Sequence, residues 1–266
     1  MRKYLILLIT GLLMASCGEY QKALKSSDNN YKFEYAKKAF ERKQYAQAST
    51  ILADLVNVFK TNDKAEETLY LLALSYYENK DYVNSAAYFH NYYSRYPKGK
   101  YAELARYYCG YSYYIDSPEA QLDQAVTIKA IKELSSFIEY FPQSDKVAIA
   151  QAAIFEMQDK LTLKELQNAQ LYYNLGTYLG NNYQAAIIVA QNAIKDYPYS
   201  KYKEELEMLI LKSRYQEALQ SVDEKKSDRF HEVIDEYYSF INNYPDGDNR
   251  KEADNIFKIA SKYVKD

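Results

Sequence analysis

The stretch Ala65–Pro97, AEETLYLLALSYYENKDYVNSAAYFHNYYSRYP, contains the pattern that decides the fold. Apolar or small side chains recur at helical spacing in both halves of it, at Leu69, Leu72, Ala73 and Tyr76 and again at Ser85, Phe89 and Tyr92. The polar turn Asn79–Asp81 separates the halves. Tyr96-Pro97 ends the second, because proline lacks an N–H and clashes with the preceding turn. The stretch therefore predicts two helices joined by a short turn.

This two-helix pattern recurs along the chain. Aromatic-proline pairs return at Phe141-Pro142, Tyr197-Pro198 and Tyr244-Pro245. The side chains 12, 8 and 5 positions before each proline are again apolar or small: Ala130, Leu134 and Phe137; Ala186, Ala190 and Ala193; Val233, Tyr237 and Phe240. A copy upstream has Ala48, Leu52 and Leu55, with Lys60 in the place of proline. Because offsets of four and seven lie on one helix face, five helix pairs are predicted.

The first helix of three pairs carries a small residue, at Ala36, Ala73 and Gly110, which lets the paired helices approach closely. Together with the aromatic turn, this resembles the tetratricopeptide repeat (TPR). The predicted fold is all-α: a superhelical TPR solenoid of about five helix pairs over Asn30–Lys265, with Arg250–Val264 as a C-terminal capping helix. Without an internal Gly/Ser linker, the chain is interpreted as one continuous solenoid.

Three repeats depart from the regular pattern. The third has about eight additional residues, Ile115–Leu122, which include Pro118. In the fourth, Asp145–Gly180 is predicted to be one long helix. The fifth is predicted to have a stretched first helix, Tyr202–Glu224.

The N-terminus has the pattern of a signal peptide. Basic Arg2 and Lys3 precede the apolar run Tyr4–Met14, which is too short to span a bilayer. The run ends in Leu13–Cys17, LMASC, which resembles a bacterial lipobox. We expect residues 1–16 to be a signal peptide, Cys17 to carry covalent lipid such as palmitate, and residues 17–29 to be a tether. The alternative is an ordinary secretory signal with a coincidental cysteine.

Neither the composition nor the motifs of the sequence predict a catalytic site. The formal net charge is −2, so nucleic acid is not expected as a partner. His90 and His231 are 141 residues apart and lack further ligands, so no metal site is predicted. Cys109 is expected to be a buried small hydrophobe. No phosphate loop or nucleophile motif occurs, and the sequence predicts no enzyme and no cofactor beyond the lipid on Cys17.

The 32 tyrosines instead favour binding. Because first helices line the concave side of such a solenoid, inward side chains of repeats 1–3 are candidates for a peptide groove. These are Phe33, Lys37, Phe40, Tyr70, Leu74, Tyr77, Tyr107, Tyr111 and Tyr114. Such a groove suits an extended peptide with aromatic side chains. The alternative is that these rings pack between helices.

Lipobox, repeat number and elongated middle repeats together resemble the BamD-like family, the lipoproteins of the outer-membrane β-barrel assembly (BAM) machinery. The segments that carry the resemblance are Leu13–Cys17, Tyr92–Tyr101, Leu122–Ile131, Tyr140–Ser144 and Asp196–Tyr202. The resemblance implies a lipid anchor on the periplasmic face of the outer membrane. It also implies that repeats in residues 30–144 bind signals of unfolded outer-membrane β-barrel proteins, and that residues 145–266 dock on a BamA-like barrel subunit.

Two other functions remain open at this point. Similar repeats occur in periplasmic scaffold lipoproteins for cell-wall or division enzymes. They also occur in nutrient-binding lipoproteins of transporters, although those usually carry Trp-rich platforms, and this chain has no Trp.

Overall fold

A computed structural model describes residues 18–264 of the chain. Within that range, residues 18–25 are helical and eleven longer helices follow, with no strand among them. In chain order these are α1 (Asn29–Glu41), α2 (Tyr45–Val58), α3 (Ala65–Glu78), α4 (Tyr82–Arg95), α5 (Ala102–Asp116), α6 (Ala125–Tyr140), α7 (Val147–Leu175), α8 (Asn182–Asp196), α9 (Lys203–Leu219), α10 (Asp223–Asn243) and α11 (Arg250–Ala260). The all-α fold of consecutive helix pairs, typical of TPR repeats, is confirmed.

The chain divides into two compact units. The first runs to Pro118 and also includes Ala125–Ile154. The second contains Glu119–Gln124 and the chain from Phe155 onward. Each unit has its own core, and α7 passes from one unit into the other.

In the first unit, each helix from α1 to α5 packs on the next, and the first helices of neighbouring repeats also touch, α1 against α3 and α3 against α5. The core contains the apolar positions that the sequence pattern selected, with Leu52, Phe89, Leu134 and their neighbours fully buried. Gly110 in α5 lies so close to α6 that an added Cβ would come within 2.9 Å of the backbone N of Leu134. The close approach predicted for this small residue is therefore confirmed.

The second unit has two apolar clusters. In one, Ala169 of α7 packs with α8 and α9 around Ile187 and Leu206. In the other, α9, α10 and α11 meet around Phe230 and Phe240. Tyr263, just after α11, stacks on Phe230 with ring centroids 4.2 Å apart and covers the end of this core.

The loops that lead from one repeat to the next share a single geometry. They are residues 59–64, 96–101, 141–146, 197–202 and 244–249, six residues each. In each, the N–H of the fourth residue donates to the carbonyl of the aromatic first residue, as Gly99 does to Tyr96 at 3.0 Å. A second turn follows, in which Ala102 donates to Gly99 at 3.1 Å. We call these segments the repeat loops.

A carboxylate from the preceding first helix holds three of these repeat loops. Glu66 Oε1 accepts the N–H of Lys100 at 2.6 Å, Asp159 Oδ1 accepts that of Lys201 at 3.1 Å, and Glu204 Oε1 accepts that of Asn249 at 3.1 Å. The fourth loop residue is correspondingly small, at Gly99, Ser200 and Gly247. A Cβ at Gly99 would lie 2.6 Å from Glu66 Oε1. The shorter Asp side chain stands opposite Ser200, whose hydroxyl donates to it at 2.7 Å.

The turns inside the repeats are variable. They comprise residues 42–44, 79–81, 117–124, 176–181 and 220–222. Three of them contain a residue other than glycine at positive φ, namely Lys43 (60°), Lys80 (62°) and Leu179 (58°). The additional residues predicted around Pro118 lie in the longest of these turns.

Three of the predicted helices need corrected boundaries. The fourth repeat does begin with one continuous helix, α7, but it spans Val147–Leu175 rather than Asp145–Gly180, and Gly176 follows it at a φ of 57°. In the fifth repeat, however, the first helix ends at Leu219, and the stretched helix is the second one, α10. Val222 adopts an extended conformation there and separates the two. The capping helix α11 ends at Ala260 rather than Val264, followed by a turn.

Candidate functional site

The predicted lipidation site, Cys17, lies outside the described residues. The segment immediately after it, predicted as a tether, is helical over residues 18–25 and packs on the first repeat. Tyr20 stacks on Tyr35 with centroids 6.3 Å apart, and Glu19 pairs with Arg42 at 3.3 Å. The residues that follow Cys17 are therefore fixed on the surface of the first repeat.

Six tyrosine rings of repeats 2 and 3 form a continuous chain of contacts, which we call the tyrosine cluster. Its members are Tyr77, Tyr82, Tyr107, Tyr108, Tyr111 and Tyr114. Tyr77 contacts Tyr108 at a centroid distance of 4.8 Å, which connects the first helices of two repeats. Tyr107, Tyr111 and Tyr114 then follow one another along α5 at 5.2 Å. The structure thus brings together four of the nine residues predicted for the groove.

Three of the predicted groove residues are buried and belong to the core. Phe33 packs edge-on against Phe59 at 5.8 Å. Tyr70 stacks on Tyr101 at 4.1 Å. Tyr107 is also buried and contacts Tyr108 at 5.3 Å. For these three rings the packing interpretation describes the structure.

The other predicted groove residues are partly exposed. Lys37 forms an ion pair with Glu67 at 3.2 Å, and its ammonium lies 5.4 Å from the Phe33 ring. Phe40 contacts Tyr45 at 5.2 Å, and Leu74 packs on the core of repeats 2 and 3. The accessible edge of the predicted groove therefore consists of Lys37, Phe40, Leu74, Tyr77, Tyr111 and Tyr114.

Two members of the cluster, Tyr82 and Tyr108, were not among the predicted residues. Tyr108 contacts Tyr77, Phe89 and Tyr107 and thus lies at the centre of the cluster. It immediately follows Tyr107, and neighbouring helical residues point about 100° apart, so face assignment by i, i+4 spacing excluded it. Five of the eight residues from Tyr107 to Tyr114 are tyrosines, and this density was the signal that could have found it.

The tyrosine cluster is neutral and rich in hydrogen-bond donors. Burial, and next the hydroxyl of Tyr108, raise the pKa of Tyr77 well above its ordinary value. Burial likewise raises the pKa of Tyr108, with Glu78 raising it further and Lys146 opposing. The hydroxyls of Tyr77 and Tyr108 are therefore protonated at neutral pH, and the cluster offers ring faces together with O–H groups. Such a surface suits aromatic side chains and the oxygen atoms of a peptide.

The two histidines and Cys109, which were considered as metal ligands or as a reactive thiol, make ordinary packing and hydrogen-bond contacts. The ring of His90 contacts Tyr93 at 5.0 Å, and His231 Nδ1 lies 3.0 Å from the carbonyl oxygen of Ser227. Cys109 is buried, its Sγ lies 3.4 Å from the carbonyl oxygen of Ala86, and burial raises its pKa. Among residues 18–264, no three His, Cys, Asp or Glu side chains come together as metal ligands. Within the same range, no helix combines the length and the apolar character needed to cross a membrane.

Comparison with known proteins places the chain in a family. The family model YfiO, described as an outer membrane lipoprotein, matches residues 25–230. A curated relative from Aquifex aeolicus (strain VF5), named as a candidate outer membrane protein assembly factor BamD, is 24% identical over 172 residues. That alignment covers 64% of this chain and 56% of the relative, so the chain spans about half the length of the relative it matches. Because the family model covers well over half of its length, the chain belongs to the YfiO (BamD) family of outer membrane lipoproteins.

Proposed function

We propose that the chain is a non-enzymatic, lipid-anchored component of outer-membrane β-barrel assembly. In this proposal lipid on Cys17 attaches it to the periplasmic face of the outer membrane. The first unit binds unfolded outer-membrane proteins, and repeats of the second unit dock on a BamA-like barrel subunit. Family membership supports the role in outer membrane protein assembly.

The tyrosine cluster is the observation that supports binding of unfolded barrel proteins by the first unit. It presents partly exposed rings from two successive first helices, and the hydroxyl of Tyr77 is a protonated donor. The family resemblance implies a C-terminal signal that ends in an aromatic residue. The aromatic ring of such a peptide can stack on Tyr111 or Tyr114, while its carboxylate accepts hydrogen bonds from hydroxyls and is attracted by Lys146.

Binding of a barrel signal can be tested with a labelled peptide that ends in Tyr-x-Phe. We expect the double variant Tyr77→Ala, Tyr111→Ala to bind it at least about tenfold more weakly, a loss of about 1.4 kcal/mol. Tyr70 is unsuitable for this test because it is buried in the core. Tyr199, 87% exposed in the second unit, provides a matched control, and Tyr199→Ala should bind like the parent. Unchanged affinity in a folded double variant would refute the assignment of the site.

The partner and the anchor are tested in envelopes. A mild-detergent pull-down of the lipidated protein should recover a BamA-like barrel subunit in stoichiometric amount. Recovery of cell-wall synthases or of a transporter in its place would support the scaffold or the nutrient-binding alternative. Cys17→Ala should release the folded protein from membranes, and its retention there would contradict the lipid anchor.

A further inference from the structure

The second unit contains an open groove of about 520 Å³ between α7, α9 and the beginning of α11. Its floor is apolar and includes Leu166, Met208 and Leu209. Leu171 projects at the rim with 58% of its surface exposed. The volume is sufficient for one or two aliphatic side chains from another molecule.

Amide side chains line the α7 side of this groove. Gln167, Gln170 and Asn174 lie there on successive turns of one helix face. Gln170 Nε2 donates to Asn174 Oδ1 at 2.9 Å, which joins the two amides. This bond leaves the Gln170 oxygen as an acceptor and an N–H of Asn174 as a donor. An acceptor and a donor side by side match the N–H and C=O of an extended main chain.

The charge at the rim is unbalanced. Lys212 and Glu252 form an ion pair at 2.9 Å and largely neutralise each other. Glu205 lies opposite α7 on the first turn of α9, is exposed, and forms no ion pair with any residue in 18–264. The groove therefore carries one unneutralised negative charge beside its apolar floor, which favours a positively charged group in the occupant.

We propose that this groove binds an extended segment of a partner protein in which an aliphatic side chain is close to a Lys or Arg. The aliphatic side chain lies on Leu166, Met208 and Leu209, and the main chain pairs with Gln170 and Asn174. The basic group lies at Glu205. This site belongs to the second unit, and its ligand preference differs from that of the tyrosine cluster. The proposal holds whether or not the cluster binds barrel signals.

Because the chain has no Trp, the fluorescence of one introduced tryptophan can measure peptide binding in the groove. Leu171→Trp places a single tryptophan at the rim of the groove. The probe is the peptide acetyl-Gly-Ser-Leu-Lys-Leu-Ser-Gly-amide, compared with the same peptide with Glu in place of Lys. We expect a saturable fluorescence change with the Lys peptide and at least about tenfold weaker binding of the Glu peptide.

Reversing the charge at Glu205 tests whether this carboxylate sets the preference for the Lys peptide. In the Leu171→Trp background, Glu205→Lys should reverse the preference toward the Glu peptide, and the milder Glu205→Gln should abolish it. Tyr77→Ala with Tyr111→Ala should leave this binding unchanged, which separates this site from the tyrosine cluster. The proposal is overturned if neither peptide gives a saturable signal, or if the preference persists in a folded Glu205→Lys variant. It is also overturned if sedimentation shows a dimer that Leu171→Asp dissociates, because the occupant would then be a second copy of the chain.

Discussion

Tyr92 in α4 donates its hydroxyl hydrogen to Glu66 in α3, with 2.5 Å between Oη and Oε1. The same carboxylate oxygen accepts the backbone N–H of Lys100. The Tyr92 hydroxyl in turn accepts the N–H of Tyr101 at 3.0 Å. One side-chain pair therefore joins both helices of the second repeat to the repeat loop that begins the third.

We expect Glu66→Ala to lower the free energy of unfolding by about 2–3 kcal/mol, because it leaves a tyrosine hydroxyl and a backbone N–H without their acceptor. Urea denaturation followed by circular dichroism measures this difference. The neighbouring Glu67 forms an ion pair with the partly exposed Lys37, so Glu67→Ala should cost less than about 1 kcal/mol. Equal losses in the two variants would contradict the role given to Glu66.

Gly110→Ala should destabilise the first unit by about 1–3 kcal/mol, because the new Cβ meets the backbone and side chain of Leu134 at 2.7–2.9 Å and forces α5 and α6 apart. Thermal unfolding of the variant measures the loss. Gly18→Ala is the control, since an added Cβ there has no neighbour within 4 Å. A stability of Gly110→Ala equal to that of the control would show that the two helices can separate without cost.

The buried tyrosines predict a characteristic alkaline unfolding. Burial raises the pKa of Tyr70, Tyr93 and Tyr244 above the ordinary value of 10.0, so the unfolded chain loses these protons first. Their contribution to stability is complete below pH 10 and is lost as the pH rises toward the folded-state values. Denaturant titrations should therefore show a falling free energy of unfolding above pH 10, and tyrosinate absorbance should appear together with unfolding.

A single variant tests this account of the pH dependence. Tyr93, which hydrogen-bonds Glu133 at 2.7 Å, has one of the strongly raised values. In Tyr93→Phe the fall of stability above pH 10 should be shallower than in the parent. A slope identical to that of the parent would assign the alkaline unfolding to other groups.

Leu179 is 91% exposed at a φ of 58°, so it has the backbone strain of the left-handed region without the compensation of burial. We expect Leu179→Gly to raise the free energy of unfolding by about 0.5–1 kcal/mol, once the greater freedom of glycine in the unfolded chain is included. Lys80→Gly, at a φ of 62° in the corresponding turn of the second repeat, should give a similar gain. A loss of stability in Leu179→Gly alone would reveal a packing role for Leu179.

The sequence predicted the helix pairs well, because each second helix ends at an aromatic residue that starts a repeat loop. The prediction for the first helix of the fifth repeat was wrong for a physical reason. The turn Gln220–Val222 contains neither Gly nor Pro. A helical pattern precedes it, and the charged residues from Asp223 onward continue such a pattern after it. Only the extended conformation of Val222 separates α9 from α10, and no local residue preference indicates it.

The candidate site was predicted in part. Helical spacing identified Tyr77, Tyr111 and Tyr114, which lie at the accessible edge of the tyrosine cluster. Spacing alone could not distinguish them from Tyr70, because exposure depends on which rings the neighbouring repeat covers. Tyr101, from the following repeat loop, stacks on Tyr70 and buries it. That contact depends on how the repeats stack, so the pattern within one repeat does not contain it.

The uniform six-residue repeat loops and the variable turns within repeats have a practical consequence for engineering. A reporter peptide or affinity tag inserted after Leu179, in the turn 176–181, should leave helix stacking intact, since this turn already departs from the three-residue form and Leu179 is 91% exposed. The same insertion after Lys98 would separate Gly99 and Lys100 from the helix that precedes them. Repeats with a lengthened inner turn thus have a permissive end and a forbidden one, and length differences among relatives should accumulate at the permissive ends.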